Sequence, residues 1–252
     1  MSIVQALVSG VVQGVTEFFP VSSSGHLVLL HGLFGIDTPQ IAFDIFLHLG
    51  TLVAVLFYFR ADIARLISTE RRKALLVVWG SIPAGIVGIA LRRSIETYFA
   101  MPALTSAMLA LTGIWLIAAS LLGRRGLRRP LRAGEALVIG IAQACAIMPG
   151  LSRSGATIAT GVALGVEREE AFRFSFLLSI PAVAGASLLK LPAAMPAFSA
   201  HDAVNFAAGG ITAMVTGFAT LGVLRRVVKR NALYLFGAYC LAVGISGLAL
   251  FR

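Results

Sequence analysis

The chain has 252 residues, of which 58% are hydrophobic and 13% charged, with a formal net charge of +10 and a mean hydropathy of +0.90. Soluble domains carry about 25% charged residues, so a water-solvated globule is excluded, and there is no polar block long enough to form a soluble domain. The N-terminus lacks the basic start and small-residue cleavage site of a signal peptide, and its apolar stretch contains Glu17, so it reads as part of the mature protein.

The apolar segments run in chain order at about 1–19, 22–34, 42–59, 74–91, 103–123, 134–148, 155–165, 171–190, 203–224 and 231–251. A helix needs roughly 20 apolar residues to cross a bilayer, with about 17 as the lower limit. Segments 42–59, 74–91, 103–123, 171–190, 203–224 and 231–251 meet that length. In the pairs 1–19 with 22–34, and 134–148 with 155–165, every segment but 1–19 is shorter, and each pair is broken by Pro, Gly and a serine cluster. Both pairs are expected to be re-entrant hairpins, since irregular backbone at membrane depth is tolerated only against protein or a wet cavity. The expected fold class is all-α integral membrane: six transmembrane helices plus two re-entrant helical hairpins, in a single membrane domain over residues 1–252.

A displacement of 130 positions carries Gly10 onto Gly140, Gln13 onto Gln143, Ser22 onto Ser152, Ser24 onto Ser154 and Gly25 onto Gly155. Each half, approximately 1–130 and 131–252, then holds one hairpin and three spans. Three is odd, so the halves are expected to be interlocked inverted repeats with a polar site at their junction. Of the 21 Lys and Arg, sixteen fall on one face, among them Arg60, Arg65, Arg71, Arg128, Arg173, Arg225 and Lys229. The other face receives Arg92, Arg93, Lys190 and Arg252, and Arg153 lies within the second hairpin. The basic face is therefore expected in the cytoplasm, with both termini and the mouth of the first hairpin outside. Charges placed as orientation signals argue against a nucleic-acid partner. Cys145 and Cys240 are far apart in apolar segments and suggest neither a disulfide nor a thiolate metal site.

Glu17 is bracketed by Val15, Phe18 and Phe19. A carboxylate at membrane depth is costly and marks a functional candidate. Gln13 lies one helical turn earlier on the same face, and the two offer oxygen ligands for a hard divalent cation or form a hydrogen-bonded pair. Ser23 and His26 bring a hydroxyl and an imidazole onto one side of a first helical turn. That spacing suits a nucleophile beside its base, and Ser22 to Ser24 leave room for a helix cap as well. Arg153, flanked by Ser152 and Ser154 and followed by Thr157, offers a planar fork for phosphate oxygens, or a partner for Glu17. Hydroxyls and helix-start N–H groups add anion donors. Asp44 and His48, one turn apart, either line the outer mouth of the cavity or form a structural pair near the interface, the second being the preferred reading, and His31 and His201 read as interfacial. Glu167, Glu169 and Glu170 suit a helix N-terminus. Phe172, Phe174 and Phe176 read as packing or lipid contact.

Gln13-x-x-x-Glu17, Pro20-Val21-Ser22-Ser23-Ser24-Gly25-His26 and Pro149-Gly150-Leu151-Ser152-Arg153-Ser154-Gly155-Ala156-Thr157 resemble the signature segments of the bacitracin-resistance type of undecaprenyl-diphosphate phosphatase. Phe43-Asp44 to Gly50 and Phe174 to Leu178 resemble further stretches of that family, so the likeness covers essentially the whole chain. The resemblance implies an enzyme that hydrolyses undecaprenyl diphosphate to undecaprenyl phosphate and inorganic phosphate, recycling the lipid carrier for cell-wall synthesis and conferring bacitracin resistance. It implies a divalent cation, Mg²⁺ or Ca²⁺, and a site open to the outer face of the bacterial plasma membrane. Carried over, Glu17, Ser23, His26 and Arg153 are the catalytic set. Ser22, Ser152, Ser154 and Thr157 join Arg153 in binding phosphate, and Glu17 with Gln13 hold the metal. The expected partners are the polyprenyl diphosphate substrate, membrane lipids and a second copy of the chain as a homodimer.

One position departs from the pattern: the first acid of the family's Glu-x-x-x-Glu is Gln13 here, a familiar alternative that removes one negative charge. A metal is then expected to be held more weakly, or largely by Glu17 and by the substrate's own phosphates, as is usual for Mg²⁺. Direct attack by water stands beside attack by Ser23. The rival from another class is a transporter or flippase for the phosphorylated lipid, since broken helices in inverted repeats are common in transporters. A Ser–His pair beside an Arg favours chemistry.

Overall fold

The computed structural model describes residues 1–36, 40–91, 98, 101–123, 130–194 and 202–250. Arg92, Arg93, Arg124, Arg125, Arg128, Arg129, His201 and Arg252 of the sequence reading lie outside the described residues. Among those described, the chain is all-helical, with eleven helices and no strand. These are α1 (Ile3–Thr16), α2 (Ser23–Leu33), α3 (Ile41–Tyr58), α4 (Arg60–Ser68), α5 (Arg71–Ala90) and α6 (Pro102–Leu122), followed by α7 (Ala133–Cys145), α8 (Arg153–Ala163), α9 (Arg168–Ala194), α10 (Ala203–Lys229) and α11 (Leu233–Leu250).

Six of them, α3, α5, α6, α9, α10 and α11, are long and apolar enough to cross a membrane. Their outward faces stay apolar, with Leu75, Val204 and Leu250 all more than two-thirds exposed, as suits a multi-pass protein solvated by lipid. The other apolar helices are short. α1 has 14 residues, α2 11, α7 13 and α8 11. At a rise of 1.5 Å per residue the longest reaches only about 21 Å, against roughly 30 Å of hydrocarbon.

The sequence reading has no helix at 60–68, where α4 lies. Its nine residues include Arg60, Asp62 and Arg65 and bury none of their side chains, so hydropathy gives no signal for it. Charge pairing holds it instead. Arg173 at the start of α9 donates to Asp62 at 2.7 Å and to Glu169 at 3.1 Å. Glu169 also takes Arg225 and Lys229 from the end of α10. Glu169 thus does more than complement a helix start: it joins α9 to α10, while Arg173 ties in α4.

The short helices α1 and α7 make their largest contacts with a helix of the other half. α1 lies against α10 and α7 against α5, while α6 pairs with α11 and α3 with α10. Without a hydrophobic driving force between helices in lipid, small residues that let backbones approach set these pairs. A Cβ on Gly14 would sit 2.7 Å from Ala213 O and 2.8 Å from Gly217 N of α10. Gly140 of α7 meets the Gly80 backbone of α5 in the same way. An aromatic core lies against the turn between α1 and α2. Phe18, Phe59, Phe172 and Phe176 are almost fully buried, and Phe18 meets Phe176 edge-on at 5.5 Å. The Phe run of α9 is packing.

Candidate active site

Glu17 stands just past the end of α1, where the chain turns through Pro20 toward α2. Its side chain is 9% exposed. Arg153, the first residue of α8, donates from Nη2 to Glu17 Oε1 at 2.6 Å. Ser23, the first residue of α2, donates from Oγ to Glu17 Oε2 at 2.7 Å. Gln13 Nε2 reaches the same oxygen at 3.3 Å, the one-turn neighbour that the spacing anticipates. One carboxylate therefore gathers the start of α2, the start of α8 and the end of α1, and residues 136 apart in sequence become partners.

The guanidinium is only half used. Arg153 Nη1 is buried with no hydrogen-bond partner, while its Cζ lies 5.9 Å from the centre of the Phe176 ring. A buried donor left unpaired costs about 1–3 kcal/mol, and an anionic oxygen beside Glu17 would recover it. The acceptor side is similar, since Gln13 Oε1 is also buried without a partner. Both atoms of the Gln143 amide, at the position related by 130, are buried and unpaired as well.

The two helix starts differ. Ser152 caps α8 in the usual manner, its Oγ accepting from Gly155 N at 3.2 Å. Ser22 stands at φ +67°, a conformation rare outside glycine, and no side chain caps the first turn of α2. The N–H groups there remain available to an anion. Gly150 has φ +89° and packs against the Thr105 carbonyl, so the turn into α8 requires glycine.

The structure brings together Gln13, Glu17, Ser23 and Arg153 from the sequence reading. The remaining hydroxyls each have protein partners. Ser152 shares a hydrogen bond with Ser154 at 3.2 Å, and Ser22 one with Ser24 at 3.4 Å. Thr157 Oγ1 donates to the Arg153 carbonyl and meets Ser175 Oγ at 2.5 Å. His26 is turned away from the Ser23 hydroxyl: its Nδ1 lies 2.8 Å from Ser22 O and its Nε2 2.7 Å from the Tyr239 hydroxyl. The carbonyl one turn back draws the ring along α2, leaving Glu17 as the hydrogen-bond acceptor of Ser23.

Three neighbours were not read as part of a site. Tyr239 of α11 holds His26, and Phe176 faces Arg153. His48 of α3, read as a structural partner of Asp44, has Nε2 3.8 Å from Glu17 Oε2. The available signal was a histidine in the middle of an otherwise apolar span. Asp44 contributes its backbone, its carbonyl lying 2.7 Å from His48 Nδ1.

The model of the bacitracin resistance protein BacA family matches residues 6–246. The chain belongs to that family. Among its BacA relatives, a protein of Desulfosudis oleivorans is 43% identical over 97% of both chains. One of Moorella thermoacetica is 41% identical over all of this chain and 98% of its own, and one of Methanobrevibacter smithii is 37% identical over 97% and 96%. Each of the three bears the name undecaprenyl-diphosphatase.

Proposed function

We propose that this chain hydrolyses undecaprenyl diphosphate to undecaprenyl phosphate and inorganic phosphate, as the names of its relatives say of them. The observation that carries this reading is the buried, half-used Arg153 guanidinium, held by the same Glu17 carboxylate that takes the hydroxyl of Ser23 at the uncapped start of α2. A terminal phosphate there would meet Arg153 Nη1 and the first-turn N–H groups of α2. An apolar cavity of about 380 Å³ between α6, α7 and α8 has Thr112 among its lining residues. The Thr112 hydroxyl accepts from Ser152 N at 3.2 Å, so the cavity lies beside the start of α8 and its apolar lining suits the prenyl chain.

Ser23 is the proposed nucleophile. As its Oγ bonds to the terminal phosphorus, the bond from that phosphorus to the bridging oxygen breaks and undecaprenyl phosphate leaves. The Ser23 proton passes along the existing hydrogen bond to Glu17. Water then adds to the phosphoseryl phosphorus, inorganic phosphate departs with both water protons, and Ser23 recovers its proton from Glu17. Arg153 opposes the charge that gathers on the phosphate oxygens throughout. A transporter needs no nucleophile held this way, which favours chemistry over the flippase reading.

A divalent cation, Mg²⁺ or Ca²⁺, fits the Glu17 carboxylate and the unpartnered Gln13 Oε1. Among the described residues no three of His, Cys, Asp and Glu gather within metal-binding reach, so substrate oxygens would complete its shell. Bound there, it would neutralise phosphate charge. The asymmetry of basic residues supports a site opening outward from the inner membrane of a bacterium. The offset of 130 and the crosswise packing of α1 and α7 support interlocked inverted halves with two re-entrant hairpins. The direct test is acid-quenched turnover with a radiolabelled terminal phosphate. Wild type should carry label on Ser23, and Ser23→Ala should carry none. Wild-type turnover without labelled protein would favour attack by water.

A further inference from the structure

His48 and His26 present the same ring in two different states. Each has Nδ1 within 2.8 Å of a backbone carbonyl, that of Asp44 for His48 and of Ser22 for His26. A carbonyl oxygen only accepts, so Nδ1 carries the hydrogen in both, and in the neutral ring the lone pair is on Nε2. In His26 that lone pair accepts from the Tyr239 hydroxyl at 2.7 Å. In His48 it points toward Glu17 Oε2, 3.8 Å away. That is too long for a hydrogen bond. It is within the span of two atoms bound to one cation, which at about 2.1 Å each can stand up to about 4.2 Å apart.

The surroundings suit a ligand of this kind. Gln13, whose Oε1 is buried without a partner, is hydrogen-bonded to the same carboxylate. The His48 side chain is 33% exposed, so the gap is not sealed by protein. A backbone carbonyl holding the far nitrogen of an imidazole is the usual means of orienting a metal-binding histidine.

We propose that His48 Nε2 is a nitrogen ligand of the divalent cation at Glu17, which makes the site a mixed set of imidazole, carboxylate and amide oxygen. This rests on the reading above that a cation binds at Glu17 and Gln13. An imidazole nitrogen binds a first-row transition-metal ion more readily than it binds Ca²⁺, which takes oxygen ligands, so the site should hold Mn²⁺ more tightly than Ca²⁺.

The experiment is pulsed electron paramagnetic resonance of the full chain in detergent with Mn²⁺ alone. The echo should show ¹⁴N modulation, which ¹⁵N-histidine labelling of the wild type should convert to the ¹⁵N pattern without any mutation. His26→Gln should retain the modulation. His48→Gln should lose it, with an unchanged thermal midpoint in metal-free buffer and Mn²⁺ affinity lower by about tenfold or more. Mn²⁺ bound without nitrogen coupling in wild type, or coupling that persists in His48→Gln, would overturn the ligation and leave the phosphatase reading standing. Failure to bind Mn²⁺ while phosphate release continues would overturn the ligation and the cation site together. Absence of phosphate release from wild type with any divalent metal would remove the hydrolase reading itself, whatever the spectra show.

Discussion

At the scale of single residues, a carboxylate in an apolar bundle persists only when paired and hydrogen-bonded. Glu17 meets that condition through Arg153, Ser23 and Gln13 at 2.6, 2.7 and 3.3 Å. Removing one partner leaves a buried charge uncompensated, which costs about 3–5 kcal/mol. Glu17→Gln should therefore abolish phosphate release and also lower the thermal midpoint in detergent, since Arg153 loses its counter-charge. Turnover and metal requirement equal to wild type would make Glu17 structural. Gln13→Glu adds a negative charge one turn away, and should lower the Mg²⁺ or Ca²⁺ concentration for half-maximal release in a titration at fixed lipid. An unchanged midpoint would place the cation away from Gln13.

At the scale of elements, the site depends on where α1 is held against α10. Gly14 lies one residue from Gln13 and faces Ala213 and Gly217 at distances no Cβ tolerates. Overpacking of this kind costs about 1–3 kcal/mol. Gly14→Val should lower the melting midpoint, and should lower kcat more than it raises KM, because Glu17 rides on the displaced helix. A full kcat with only a lower midpoint would show that α1 position does not set the chemistry.

Long apolar runs made the six spans legible within a few residues, and the Pro, Gly and serine breaks marked the four short helices. α4 was not legible, because the Asp62–Arg173 ion pair with α9 rather than hydropathy holds it. In the site, Gln13, Glu17, Ser23 and Arg153 could be singled out because polar groups at membrane depth are conspicuous. Their grouping around Glu17 rests on the approach of α1, α2 and α8, which no local spacing reveals. For the same reason the spacing of Ser23 and His26 suggested a pair that the carbonyl of Ser22 and the hydroxyl of Tyr239 divide. His48 was set aside with Asp44, since sequence does not show that α3 passes beside the end of α1.

At the scale of the whole molecule, the start of α9, the end of α10 and the short α4 meet in one charged layer of Asp62, Glu169, Arg173, Arg225 and Lys229. That layer is the side expected in the cytoplasm. In a Cys145→Ser background, Arg72→Cys should react with a membrane-impermeant maleimide only after cells are opened, and Leu33→Cys should react in intact cells. The reverse pattern would turn the site toward the cytoplasm.

The central claim is that Arg153, fixed by Glu17, receives the terminal phosphate of a prenyl diphosphate for hydrolysis. It is tested most directly by phosphate release from undecaprenyl diphosphate with purified wild type and Arg153→Lys in detergent. Lysine keeps the charge but lacks the planar fork. Wild type should release phosphate, and the folded variant should retain no more than about one-hundredth of that rate, as for loss of one transition-state donor. Near-normal release by Arg153→Lys, or none by wild type, would contradict the account.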